Sequence, residues 1–168
     1  MRYSSLISIL LLLAWSAPAS AKPTPVPGGA NQAQGVAATF GHPAFNGEVR
    51  LTPRVLRDAV ASDDLSATAG MKWIVFSATA SNGTKHALDM QQFIASVSNA
   101  NGESIAAQPD KLLPVGGVFG VVPGGGWKEQ ISFLVPSEFV PVKIVLLPYD
   151  RKHGAFRITV AAGDYKPS

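Results

Sequence analysis

Trp127-Lys128-Glu129-Gln130-Ile131-Ser132-Phe133-Leu134-Val135 alternates almost without interruption. Trp127, Glu129, Ile131, Phe133 and Val135 fall on one side, and Lys128, Gln130, Ser132 and Leu134 on the other. Successive side chains of a strand point to opposite faces, so this period of two predicts a strand with one face in a core. Pro136 closes it, and Pro123-Gly124 before it supplies a turn.

The same pattern recurs on both sides of this stretch. Met71 to Ala80 sets Ile74, Phe76, Ala78 and Ala80 against Trp73, Val75, Ser77 and Thr79. Ser81-Asn82-Gly83-Thr84 follows and reads as a tight hairpin turn, because Asn and Gly tolerate positive φ. Gln92 to Ser98 turns Phe93, Ala95 and Val97 inward and ends at a second hairpin signal, Asn99-Ala100-Asn101-Gly102. Val142 to Leu147 is apolar on both faces, as a central strand would be, and Pro148 stops it. Phe156, Ile158 and Val160 mark a last alternating strand. Glu48 to Val60 would suit either a strand or one face of a helix, and we read a strand with Pro53 at an edge or bulge. Short alternating strands separated by turn residues predict an all-β sandwich of two antiparallel sheets. Phe76, Ile131, Phe133, Ile144 and Ile158 should then fill the space between the sheets, with Ser132 on the opposite, outer face.

The order of these features is similar to that of a known group. Gly70 leads into an apolar strand ending in Asn82; a strand around Phe93, an Asn-Gly turn, Pro123-Gly124 and the strand closed by Pro136 follow. Over roughly Glu48 to Val160 this resembles the bacterial extracellular immunoglobulin-like sandwiches, some of them secreted antigens and most of unknown function. The long Gly-rich stretch before Trp127 departs from that pattern. The resemblance implies an immunoglobulin-like two-sheet fold and a secreted or periplasmic address. It transfers no catalytic residue, and a fold alone does not give a function.

The ends read differently from the middle. Arg2 is followed by an apolar run from Leu6 to Trp15, and Ser16-Ala17-Pro18-Ala19-Ser20-Ala21 supplies an A-x-A site of small residues. A membrane-crossing helix takes about 20 apolar residues, so this run is read as a cleavable signal peptide, residues 1–21, cut after Ala21. The mature chain would hold 147 residues (168 − 21). Residues 22–35, rich in proline and glycine, read as a flexible linker, and residues 36–168 as a single domain. Loss of Arg2 takes the net charge from +3 to +2 (3 − 1). Its bases are scattered apart from Arg151-Lys152 beside His153, which argues against nucleic acid as a partner. With no cysteine, the sequence offers neither a thiol nucleophile nor a thiolate metal site. No second apolar run reaches spanning length.

Chemical motifs are sparse. His42, His86 and His153 lie 44 and 67 residues apart, far from the spacing of a helical metal pair. His86 with Met90, joined by Met71, would suit a copper(I) carrier, although a solvated loop and a core methionine explain the same residues. His153 beside Asp150, or His86 beside Asp89, would suit a hydrolase, but G-x-S-x-G is lacking. Asp63-Asp64 is read as a solvated turn, and Asn82-Gly83-Thr84 as a turn rather than a glycosylation site. Gly126 is followed by Trp127 and a strand, so the glycines are no phosphate loop. No cofactor is expected.

The clearest functional signal lies between Leu112 and Trp127, where Leu112, Leu113, Val115, Val118, Phe119, Val121 and Val122 alternate with prolines and glycines. Such a segment either packs against its own core as an edge strand or stays exposed for a partner. The reading taken here is an exported protein-binding module whose partner is another envelope or extracellular protein. Val118, Phe119, Val121, Val122 and Trp127 are the candidate contacts, and the edge could accept a partner's strand.

Overall fold

The computed structural model describes residues 35–90, 93–108, 119–148 and 153–168, the side chains of Asp89, Met90 and Phe119 excepted. The expected signal peptide and all but the last residue of the expected linker lie outside the described residues, as does Val118.

The described chain is a sandwich of strands with a single 3-10 turn, Ala61–Asp63. Its strands are β1 (Val36–Ala38), β2 (Ala44–Phe45), β3 (Val49–Asp58), β4 (Met71–Asn82), β5 (Leu88–Met90), β6 (Phe93–Asn99), β7 (Ser104–Ala106), β8 (Phe119–Val121), β9 (Gly126–Pro136), β10 (Pro141–Pro148), β11 (Phe156–Thr159) and β12 (Tyr165–Lys166). One sheet runs β1-β11-β10-β6-β7 and the other β12-β3-β4-β9, with β2 also on β3; β5 and β8 form a separate ribbon. The series β3-β4-β9 facing β11-β10-β6-β7 is the A-B-E against G-F-C-C′ arrangement of an immunoglobulin-like sandwich. Pairing is antiparallel except where β1 runs parallel to β11 and β12 parallel to β3.

Alternation built this core as the sequence predicts. Phe76, Phe133, Ile144 and Ile158 are fully buried and Ile131 is 1% exposed. Phe40 meets Phe76 edge-on, and Phe93 meets Phe156 in the same way. The stretch 48–60 is strand. Its register shifts between Pro53 and Val55, so Pro53 stands at a bulge. Proline cannot donate to a ladder, and here its partner strands β2 and β12 reach only Arg50–Leu51 and Leu56–Arg57. Pro53 contributes its carbonyl instead, to the Gly41 amide at 2.9 Å.

Two expectations are corrected. Ser132 is on the outer face, but it is completely buried there, and its carbonyl accepts from the Gln108 amide at 3.3 Å. Ser81–Thr84 is no hairpin turn: β4 pairs with β3 and β9, and the chain crosses from Asn82 toward the β5–β8 ribbon. The Asn99–Gly102 signal does make a hairpin, between β6 and β7, with Gly102 at φ +85°.

The outer face of β4 is covered over its first half only. Trp73 and Val75 are buried there, and the indole of Trp73 donates to the Ser66 carbonyl at 3.0 Å. Arg57 grips Asp63 through two hydrogen bonds of 2.6 and 2.8 Å, tying the segment after β3 to this half. Beside it Asp58 accepts from the Tyr165 hydroxyl, and Lys72 donates to that hydroxyl at 2.8 Å, so β12 is latched to β3 and β4.

Candidate functional site

One end of the sandwich brings together Asn82, Val121, Val122 and Trp127, all singled out by the sequence. It is formed where β4 ends, β3 and β9 begin, and the β5–β8 ribbon meets them.

Asn82 organises this end. It is 2% exposed, and its side-chain amide donates to the carbonyls of His86 and Val121, both at 2.7 Å. Its Oδ1 accepts from the amide and hydroxyl of Thr84, both at 2.8 Å. The backbone of Asn82 meanwhile bonds Gly124 and Gly125, each at 2.9 Å. Strand end, crossover, ribbon and the turn before β9 are therefore fastened to one residue. Its amide nitrogen is fully engaged and buried, which agrees with reading Asn82-Gly83-Thr84 as structural.

The turn itself follows its residue types. Gly125 donates to the Val122 carbonyl at 2.8 Å, and Gly124 between them has φ +76°. Proline second and a positive-φ glycine third are the requirements of a type II turn, which Val122-Pro123-Gly124-Gly125 meets. The turn projects outward, with Val122 63% exposed and Pro123 and Gly124 open as well. Val121 and Trp127, expected as contacts, lie beneath it in the core at 6% and 9% exposed. The side chain of Phe119 is outside the described residues. The Val121 carbonyl is already held by Asn82, which leaves less of β8 for the addition of a partner's strand.

Under the turn sits a residue whose role sequence reasoning passed over. Glu129 is only 8% exposed and faces inward with Ile131 and Phe133. The Trp127 indole donates to its carboxylate at 2.6 Å. Burial pushes the Glu129 carboxyl above its ordinary range, and that single hydrogen bond offsets only part of the effect. The signal was present in the alternation, where an acid occupies a core position between Trp127 and Ile131.

Of the proposed metal and catalytic groups, Met71, His86 and His153 are described in full. His86 is exposed, and its carbonyl accepts from Asn82 and Thr84, while the side chain of Met90 lies outside the described residues. Met71 opens β4, eleven residues before Asn82, or about 36 Å away along an extended strand. It therefore cannot join His86 at one metal. Among the described residues no three His, Asp or Glu side chains converge on a metal-sized site. Asp150 is outside the described residues. Among the described residues the carboxylate beside His153 is that of Glu48, whose Oε2 is 2.9 Å from Nδ1. Asn46 also donates to the Gly154 carbonyl at 3.0 Å, so this contact joins the loop before β11 to the start of β3. A pair 105 positions apart leaves no trace in local sequence.

No family model matches the chain, and no curated protein matches it. Among solved structures, the secreted protein MPT63 of Mycobacterium tuberculosis is 12% identical, with a TM-score of 0.50, covering 76% of this chain and 99% of its own. An uncharacterised β-sandwich protein of Clostridium difficile is 13% identical, with a TM-score of 0.47 and coverage of 76% and 95%. The yjhA protein of Bacillus subtilis is 10% identical, with a TM-score of 0.49 and coverage of 74% and 99%. At 12% identity the likeness to MPT63 is one of fold alone.

Proposed function

We propose that the chain is an exported, non-enzymatic protein-binding module that meets an envelope or extracellular protein through the Val122–Gly125 turn. The observation that supports it is Val122: a valine 63% exposed at the first position of a turn whose Gly124 and Gly125 are hydrogen-bonded to the backbone of the buried Asn82. An apolar side chain on a turn already tied down by hydrogen bonds loses less conformational freedom on binding. Val118 and Phe119, adjoining in sequence, extend the contact. Export is supported by the Leu6–Ala21 pattern.

The test uses the full-length tagged chain expressed in a bacterial host and recovered from its envelope fraction. N-terminal sequencing should begin at Lys22, and crosslinking should give a defined complex. Val122→Asp and Phe119→Asp should abolish that complex while circular dichroism stays unchanged. Recovery of uncleaved Met1, or a complex indifferent to both substitutions, would refute the reading.

A further inference from the structure

Three cations that are scattered in sequence, Arg50, Arg54 and Lys128, share one face of the sandwich. On the outer face of the β3-β4-β9 sheet, the half beyond Val75 is not covered as the first half is. Register places Arg50 opposite Ser81, Thr52 opposite Thr79, and Thr79 opposite Lys128. Ser77 pairs with Gln130 in the next row, and Val55 lies opposite Ser77 across the bulge. Arg54 lies on this face too, since its Nε donates to the Thr79 hydroxyl at 3.2 Å.

The result is a flat array of small polar groups carrying three cations. Arg50, Arg54 and Lys128 are exposed, while Thr52, Ser77, Thr79, Ser81 and Gln130 are half-buried between them. Rows repeat about every 6.8 Å along a strand and about every 4.8 Å across strands. Arg50 and Arg54 thus stand about 13 Å apart, with Lys128 about 10 Å to one side. No acid faces them from the strands of this half. Glu129, between Lys128 and Gln130, is turned into the core, and Glu48 lies against His153. None of the three cations takes part in an ion pair among the described residues.

We propose that this face binds an acidic polysaccharide. Hydroxyls and a carboxamide in regular rows match the hydroxyls of a sugar chain, and the cations match its carboxylate or sulfate groups. Two other polyanions fit less well. A membrane surface calls for apolar side chains to insert, and here Val55 is half-buried while the exposed Phe45 beside Arg50 lies under its guanidinium. Single-stranded nucleic acid calls for aromatic platforms, and the neighbouring Phe45 already carries Arg50 over its ring at 5.4 Å. The proposal rests on residues separate from the Val122 turn and stands or falls independently of it.

The experiment measures binding of the full chain to heparin, polygalacturonate and neutral dextran, with phosphatidylglycerol vesicles and an oligothymidylate as competing surfaces. Heparin and polygalacturonate should bind with affinity that falls as salt rises, and dextran should not. The triple variant R50Q/R54Q/K128Q should weaken that binding by about tenfold, with its fold unchanged by circular dichroism. Lys128→Gln alone gives the same direction should the triple variant melt early. A control, K143Q/K166Q, removes two exposed charges elsewhere and should leave binding intact. Absence of binding to either acidic polysaccharide would overturn the proposal. So would equal loss in the control, or tighter binding to vesicles or oligothymidylate.

Discussion

Asn82 shows how much one side chain can fix. Its side chain makes four hydrogen bonds to two segments, the crossover at Thr84 and His86 and strand β8 at Val121, which is 39 residues away. Truncation to Ala would strand the buried Val121 carbonyl and free the crossover, at a cost of about 2–3 kcal/mol. Asn82→Asp should be at least as harmful, because a carboxylate would face two carbonyl oxygens where the amide now donates. Urea unfolding of both variants tests this, and a loss below that of an exposed control such as Lys128→Ala would remove Asn82 from its central place. The sequence announces a turn former at this position, and rightly, since Thr84 is bound in a local Asx-type arrangement. What it cannot announce is the change of sheet. The deciding partners are Val121, Gly124 and Gly125, and nothing local in Ser81–Thr84 points to them.

Among the elements, legibility follows length and the presence of one buried face. β4, β6 and β9 span 7–12 residues, and each keeps its apolar set on the core side, so period two identifies them. β2, β5, β8 and β12 span two or three residues, too few to show a period, and exist because a distant strand offers them a ladder. Part of the outer face was misread for a related reason. Alternation tells which side a residue occupies, but not whether that side is covered, and Ser132 is buried on a face that was expected to be wet. The energetic test of β9 changes accordingly. Phe133→Ala should cost about 3–5 kcal/mol through lost burial and the cavity left behind. Lys128→Ala on the exposed stretch should stay within about 0.5 kcal/mol. Ser132 is no longer a suitable neutral control. Equal shifts in melting temperature for Phe133→Ala and Lys128→Ala would mean that the assignment of faces along β9 is wrong.

For the whole molecule, the buried acids set opposite limits on stability. Burial pushes the Asp58 carboxyl up, but the Tyr165 hydroxyl, the Ser168 amide, Lys72 and the Ser168 hydroxyl together bring it below its ordinary range. Asp63 is lowered chiefly by its hydrogen bonds to Arg57. A depressed carboxyl contributes stability that is present above its unfolded value, about 3.9, and is lost as pH falls through the folded value. Glu129 behaves in the opposite sense. Its folded pKa is raised, so above the unfolded value of about 4.3 the native state holds more proton than the unfolded chain, and stability falls as pH rises. Stability should therefore peak in mild acid and decline on either side. Glu129→Gln keeps an oxygen for the Trp127 indole and removes the charge that burial opposes. The variant should be more stable than the native chain at about pH 7 and should converge with it near pH 4. Urea unfolding at the two pH values measures this directly. A gap between the chains that is equal at both would show that Glu129 does not titrate between them, and that the limb at higher pH belongs to another group.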